Sequence, residues 1–307
     1  MKKTAFIFPG QGAQYVGMMK DFYDAYPECR EAVDSAADVL DFDLKSIMFD
    51  ENELIHKTEY TQAAMLVAEV CALRAVEKTG LKADMTAGLS LGEYGALVTC
   101  GAMDYLDAVK VVRKRGIYME NAVPAGKGAM SAIIGLTADV VEGACKDAEA
   151  ATGLCVVPAN YNCPGQIVVS GDARAVEVAG EKCKEAGAKL VAPLKVSGPF
   201  HSPLLKVAGE RLAETLAGVK FAKPSVPYVC NVNATVVTDE KDITELLVRQ
   251  VSSPVKWEQS VRTMIDCGIQ SFVEIGPGKT LAGFMKRIDR GLEVIGINTT
   301  QDLEKLG

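Results

Sequence analysis

Histidine is nearly absent from this 307-residue sequence: only His56 and His201 occur. Any chemistry that needs an imidazole base must use one of the two. Nine cysteines are present, yet none is spaced as C-x-x-C. An odd count set mostly within apolar stretches argues against a disulfide framework or a thiolate metal site. Reduced, buried thiols and no metal are expected. No apolar run approaches the roughly 20 residues of a membrane span. The apolar stretch before Pro9 and Gly10 is too short for a signal segment, so a cytoplasmic protein without membrane contact is expected. Basic excess is also lacking. A net charge of −7 argues against a nucleic-acid surface. The glycine-rich stretch 10–14 has neither dinucleotide-fingerprint spacing nor a P-loop lysine, although backbone N–H groups in such a turn can still bind an oxyanion.

What is present suits a large core: 49% of the residues are hydrophobic. Residues 4–8 read as a buried strand. The glycine-rich loop follows, then a helical pattern through Tyr15, Met18, Met19, Phe22 and Tyr23. Strand, loop and helix open an α/β unit. Helices with short breaks fill 28–60, where His56 lies in a polar stretch and reads as a surface residue. A strong helix runs over 61–78 and ends at Gly80. Asp104 caps a helix to about Asn121, in which Lys110, Arg113, Lys114 and Arg115 crowd one segment. Most of these read as solvated charges, but Arg115 precedes Gly116, which permits close approach.

Pro124 to Gly128 marks a boundary. Beyond it the order is strand, helix, strand, strand, helix, strand through Val196. That βαββαβ order predicts a small ferredoxin-like domain over 125–198. It is inserted in a larger α/β-hydrolase-like domain with a parallel sheet, formed by 1–124 and 199–307. Ser202 and Pro203 read as the cap and first position of a helix. Helices at 243–251, 257–267 and 280–289 and strands at 269–275 and 293–298 complete the chain. Gly276-Pro277-Gly278 reads as a turn.

One stretch organises the rest. Residues 88–92, Gly-Leu-Ser-Leu-Gly, follow a short strand and precede a helix, which is the context of a nucleophile elbow. A serine at such a tip has an exposed hydroxyl, and Gly88 and Gly92 remove side chains where the chain passes closely. Ser90 would sit at a helix N-terminus, which favours developing negative charge, and the Leu91 N–H is a natural oxyanion donor. His201, held between Pro199-Phe200 and Ser202-Pro203, is the better candidate base. A third group should orient it. Asp172 is the nearest acid in chain order but looks like a helix cap; a backbone or amide carbonyl is the other option.

Taken together, these stretches resemble the malonyl-CoA:acyl carrier protein transacylases of fatty-acid synthesis and the acyltransferase domains of polyketide synthases. The resemblance runs in order along nearly the whole chain. It is carried by Phe8-Pro9-Gly10-Gln11-Gly12-Ala13-Gln14, Gly88-Leu89-Ser90-Leu91-Gly92-Glu93, Arg115-Gly116, Gly128-Ala129-Met130, Asn160 to Gln166, Phe200-His201, Val248-Arg249-Gln250 and Glu274-Ile275-Gly276-Pro277-Gly278. It implies Ser90 as the acylated nucleophile and His201 as the general base, with Gln11 and Leu91 giving backbone N–H groups to the oxyanion hole. It also implies that Arg115 binds the malonyl carboxylate and that the Gln250 backbone carbonyl orients the histidine. Asn160, Asn162 and Phe200 would line the cleft, Phe200 resembling malonyl-selective members.

The implied reaction is ping-pong transfer of malonyl from CoA to the phosphopantetheine thiol of acyl carrier protein. No resident cofactor is implied, since malonyl-CoA is a substrate and the phosphopantetheine belongs to the carrier. A monomer is expected. Carrier proteins are usually acidic, and Lys189, Lys286 and Arg287 are candidates for a local basic docking face. Leu89 departs from the histidine that commonly precedes the serine. Two competing readings share the motif: a serine thioesterase or hydrolase, which gives Arg115 no purpose, and a non-catalytic carrier-protein-binding subunit, which gives none to the intact Ser90, His201 and Arg115.

Overall fold

The computed structural model of the protein describes residues 2–306. β1 (Thr4–Phe8) is buried along its whole length, as an unbroken apolar run in a central parallel strand requires. Turns then lead to α1 (Lys20–Ala25). Here the helical pattern expected from Tyr15 is corrected. Gly17 and Met19 lie at φ 87° and 60°, left-handed conformations that a right-handed helix cannot contain. Next come α2 (Pro27–Val39), α3 (Leu44–Phe49) and α4 (Thr58–Lys78), with His56 exposed between them as expected. Then follow β2 (Met85–Gly88), α5 (Gly92–Thr99) and α6 (Tyr105–Glu120). Asp104 caps α6 by accepting the Leu106 and Asp107 N–H groups at 2.9 and 3.1 Å.

The middle of the chain builds a separate sheet. β3 (Gly128–Ile134), α7 (Ala138–Thr152), β4 (Val156–Cys163), β5 (Gln166–Asp172), α8 (Ala173–Glu185) and β6 (Leu190–Pro193) follow in that order. The four strands pair antiparallel in the order β4-β5-β3-β6. Ile133, Val141, Ile167 and Val176 belong to their own core.

The chain returns through α9 (Lys206–Leu216), β7 (Tyr228–Val229), β8 (Val236–Val237), α10 (Ile243–Val251), α11 (Trp257–Asp266), β9 (Ser271–Ile275), α12 (Thr280–Ile288) and β10 (Glu293–Ile297). The helix expected from Ser202 begins instead as a 3-10 turn over Pro203–Leu205, closed by the Leu205 N–H on Ser202 O at 3.0 Å, while the Ser202 hydroxyl donates to Pro199 O at 2.6 Å and makes no cap bond.

The larger sheet has the order β10-β9-β1-β2-β7-β8. Its first five strands are parallel and β8 closes antiparallel on β7. Phe6, Phe8 and Tyr228 face a core shared with α4, α5 and α6, while Ala5, Ile7 and Phe272 pack with Trp257 and Met264 of α11 on the other face. This is a mixed α/β fold, and its parallel order has a functional consequence. The carboxyl ends of β1, β2, β7 and β9 open on one edge, where open parallel sheets bind ligands.

The small sheet covers that edge. Val255, just past α10, donates to Ala159 O at 2.8 Å and accepts from Tyr161 N–H at 2.9 Å. Gly128 packs so closely on Pro199 that a Cβ there would lie 2.3 Å from Pro199 Cδ. Among the described residues, no helix is long and apolar enough to cross a membrane, and no group of three or more His, Cys, Asp or Glu is placed to hold a metal.

Arg113 is not the solvated charge that the basic segment suggested. Its guanidinium is nearly buried and bonds Asp41 at 2.8 Å and Glu59 at 3.0 Å. It also lies 4.9 Å from the ring centroids of both Phe42 and Tyr60.

Candidate active site

β2 ends at Gly88 and α5 starts at Gly92, so three residues make the turn between them. The tightness forbids side chains on either side. A Cβ on Gly88 would lie 1.9 Å from the Gly92 carbonyl carbon, and one on Gly92 would lie 2.3 Å from Phe8 O. Ser90 occupies the tip at φ 53°, a left-handed conformation that a non-glycine residue keeps only when its surroundings enforce it. Asn231, two residues beyond β7, supplies the enforcement. Its Oδ1 accepts the Ser90 N–H at 2.6 Å, and its Nδ2 donates to Gly88 O at 2.7 Å.

His201 is also left-handed, at φ 59°. Its Nε2 lies 2.7 Å from Ser90 Oγ, and its Nδ1 lies 2.9 Å from the backbone carbonyl of Gln250. A carbonyl can only accept, so Nδ1 carries the proton and Nε2 is left as the acceptor facing the serine hydroxyl. The carbonyl expected to orient the imidazole thus lies against its Nδ1. Asp172 does not: its carboxylate accepts from the Cys155 N–H at 2.9 Å, and it makes no side-chain cap of α8. Burial, and then the charge of Arg115, lowers the His201 pKa to about 4, so the imidazole is neutral across the ordinary pH range.

Arg115 reaches the same point from α6, made possible by Gly116. A Cβ at Gly116 would lie 2.8 Å from Thr58 O, so the two helices touch through backbone. The guanidinium is 1% exposed. It donates to Gln62 Oε1 at 2.8 Å, to Gln250 Oε1 at 2.8 Å and to Ser90 Oγ at 3.2 Å. Among the described residues it has no carboxylate in ion-pair range. Burial lowers its pKa from the usual arginine value, against the charge of Glu93. A buried cation beside the nucleophile, held by neutral amide oxygens, is a place for an anion.

Gln11 lies in the loop after β1, and Leu91 is the last residue of the serine turn. Gly10, next to Gln11, packs on it: a Cβ there would lie 2.6 Å from Leu89 O. Within the described residues the backbone N–H groups of Gln11 and Leu91 are not used by another protein group. The Gln11 side chain donates to Thr58 Oγ1 at 3.0 Å.

A cleft of about 240 Å³ opens over this point. Gln11, Leu89, Ser90, Phe200 and His201 line it from loops on the large-sheet side, Asn160, Asn162 and Val168 from the small sheet, and Thr280 and Phe284 from α12. Arg287, one turn beyond Phe284, donates to Gln166 Oε1 at 2.9 Å, and the Lys189 stem packs against Gly135. Both are exposed. Lys286 is exposed as well, but it lies off the Thr280–Phe284–Arg287 row that faces the cleft.

Four residues of the site were not singled out from sequence. Asn231, Gln62 and Glu93 are buried and bonded to the groups named above. Burial raises the Glu93 pKa to about 7, against bonds from Gln250 and Asn231 and the Arg115 charge. Glu274, in the quoted Glu-Ile-Gly-Pro-Gly run, accepts the Leu281 and Ala282 N–H groups at 2.9 and 2.8 Å. It thereby fixes the start of α12, a carboxylate at a helix N-terminus. Spacing carried no signal for Asn231 or Gln62, since each meets the site only through the fold. Glu93 lay inside the motif itself.

With this geometry in place, the sequence compares closely with known proteins. Residues 5–295 match the acyl transferase domain family. A malonyl CoA-acyl carrier protein transacylase from Bacillus subtilis is 45% identical over 305 residues, covering 99% of this chain and 96% of that one. The crystal structure of an acyl carrier protein S-malonyltransferase from Vibrio cholerae superposes with a TM-score of 0.96 at 44% identity, covering 99% of this chain and 100% of the other. A malonyl-transacylase solved in complex with its type II polyketide acyl-carrier protein gives a TM-score of 0.95 at 41% identity, covering 99% and 98%.

Proposed function

The chain belongs to the acyl transferase domain family, and from that premise we propose that it is a malonyl-CoA:acyl carrier protein transacylase of fatty-acid synthesis. One observation carries the reading: the buried Arg115 guanidinium, with no carboxylate in ion-pair range among the described residues, 3.2 Å from the Ser90 hydroxyl. A simple thioesterase has no use for a cation there. A guanidinium pairs with a planar carboxylate at two points and keeps its charge when buried.

In the proposed cycle the Ser90 hydroxyl attacks the thioester carbonyl of malonyl-CoA while its proton passes to His201 Nε2. The oxyanion is received by the N–H groups of Gln11 and Leu91. The intermediate collapses, His201 returns the proton to the departing sulfur, and CoA leaves malonyl on Ser90. The carrier-protein thiol then attacks the ester by the same route in reverse. No resident cofactor enters this chemistry. Phe200, Asn160 and Asn162 shape the cleft around the acyl group.

The architecture is read as an α/β-hydrolase-like domain of 1–124 and 199–307 with a ferredoxin-like insertion at 125–198. The βαββαβ order and the β4-β5-β3-β6 pairing support the second half of that reading. One chain carries every group named, so a monomer suffices for the proposed cycle. The exposed Lys189, Lys286 and Arg287 form the docking face for an acidic carrier.

Steady-state kinetics with radiolabelled malonyl-CoA and holo carrier protein test the reading. Parallel double-reciprocal lines with little free malonate are expected. Rapid malonate release, insensitive to carrier protein, would identify a hydrolase and overturn it. For the docking face, Arg287→Glu with Lys189→Glu is expected to raise the KM for carrier protein while Ser90 acylation keeps its rate; unchanged carrier kinetics would remove that assignment.

A further inference from the structure

Glu93 touches neither the serine hydroxyl nor the imidazole, yet it touches what holds each of them. Its Oε2 accepts the Gln250 Nε2–H at 2.7 Å and the Asn231 backbone N–H at 3.1 Å. Gln250 carries the carbonyl that orients His201. Asn231 carries the amide that braces Ser90 and Gly88. The two supports come from α10 and from the loop after β7. The direct bond between them is a long one, Gln250 Nε2 to Asn231 Oδ1 at 3.4 Å. Glu93 itself sits on the first turn of α5, three residues after the nucleophile, and is wholly buried.

The chemistry of the contacts fixes a direction. Arg115 can only donate and therefore takes Gln250 Oε1. A carboxylate oxygen accepts, so it takes Gln250 Nε2 and leaves the amide one orientation. In that orientation Nε2 also reaches Ser90 O at 2.9 Å. The amide is thereby tied to the strained serine turn, while the same residue's main chain holds the base.

We propose that Glu93 is a positioning residue: one carboxyl oxygen clamps Gln250 and Asn231 together, and so sets the Ser90–His201 pair. Its contribution is the reach and accepting power of that oxygen. The inference rests on Ser90 and His201 working as nucleophile and base, as in the function proposed above.

Three substitutions separate reach from charge. Glu93→Gln keeps an accepting oxygen at the same reach and removes the charge. Glu93→Asp keeps the charge and withdraws the oxygen by one methylene. Glu93→Ala removes both. Two readouts apply to each folded variant, checked by thermal melt. One is single-turnover acylation by malonyl-CoA. The other is labelling of Ser90 by a fluorophosphonate, in which Oγ displaces fluoride from phosphorus without need of malonyl recognition.

Glu93→Gln is expected within tenfold of wild type in both readouts. Glu93→Asp and Glu93→Ala should fall by about 100-fold or more in the rate constants, with little change in the malonyl-CoA concentration giving half-maximal rate. The inverse order, with Glu93→Asp active and Glu93→Gln impaired, would overturn the clamp, as would wild-type labelling rates in a folded Glu93→Ala. If wild type takes up the fluorophosphonate but no malonyl, the functional reading fails, and the labelling series alone still decides the role of Glu93.

Discussion

Replacing Arg115 with alanine should change selectivity more than it changes reactivity. The guanidinium donates to Gln62 Oε1 and Gln250 Oε1 at 2.8 Å and to Ser90 Oγ at 3.2 Å. A malonyl carboxylate brought to it gains charge-assisted hydrogen bonds worth about 1.5–3 kcal/mol each. Two-point pairing is then worth about 3–6 kcal/mol, or roughly a 100- to 10,000-fold factor in rate. An acetyl group has no carboxylate to lose. For acetyl-CoA the substitution removes no substrate contact; the 3.2 Å contact to the serine oxygen, worth about 1 kcal/mol, and the donor to Gln250 Oε1 are lost for both thioesters alike. The ratio of malonyl to acetyl acylation should therefore fall by at least about 100-fold. Quenched-flow acylation of Ser90 by the two thioesters measures it. The variant also leaves the two glutamine oxygens without their donor, at about 1–3 kcal/mol each, so its melting temperature must be followed alongside. Equal losses for both thioesters in a folded variant would refute the assignment of Arg115 to the carboxylate.

Other consequences follow from the same geometry. With His201 held to a pKa of about 4, acylation kcat/KM should stay flat from pH 8 down through 6.5, because the neutral imidazole is the base; an acid limb at pH 6.5 would contradict its burial. The sign for stability is the same: the unfolded chain binds a proton below about pH 6.5 that the folded site refuses until about 4, so this group's contribution, about 3 kcal/mol, is lost as pH falls through that window. Gly88→Ala should abolish Ser90 labelling or soluble folding, since its Cβ meets backbone at 1.9 Å, whereas Gly283→Ala, with open space at the same distance scale, should melt no lower than wild type. Arg113→Ala should lower stability by about 1–3 kcal/mol, through its packing on the Phe42 and Tyr60 rings and its solvent-screened pairs with Asp41 and Glu59, read by urea unfolding, and leave acylation intact.

Much of this site was legible in the chain because its constraints are local. A serine turn this tight admits only glycine at 88 and 92, and two histidines leave little choice of base. The strand, loop and helix order of an α/β chain is written in its hydrophobic periodicity. The parts that stayed hidden arise from long-range juxtaposition. Asn231 lies 141 residues from the serine it braces, and β7 before it spans only two residues, too short for a period to show. The turn over Tyr15 to Met19 looked helical because the apolar spacing fits a helix while the backbone, at Gly17 and Met19, does not. Arg113 and Arg115 stand two apart on one helix, and only packing shows that one is clamped by acids and the other is not.

The most direct test of the central claim is intact-protein mass spectrometry after brief mixing with malonyl-CoA. One malonyl adduct should form on the wild-type chain, be absent in Ser90→Ala, and move to holo carrier protein when that is added. CoA release with no adduct that carrier protein can take up, or an adduct that persists in Ser90→Ala, would contradict it.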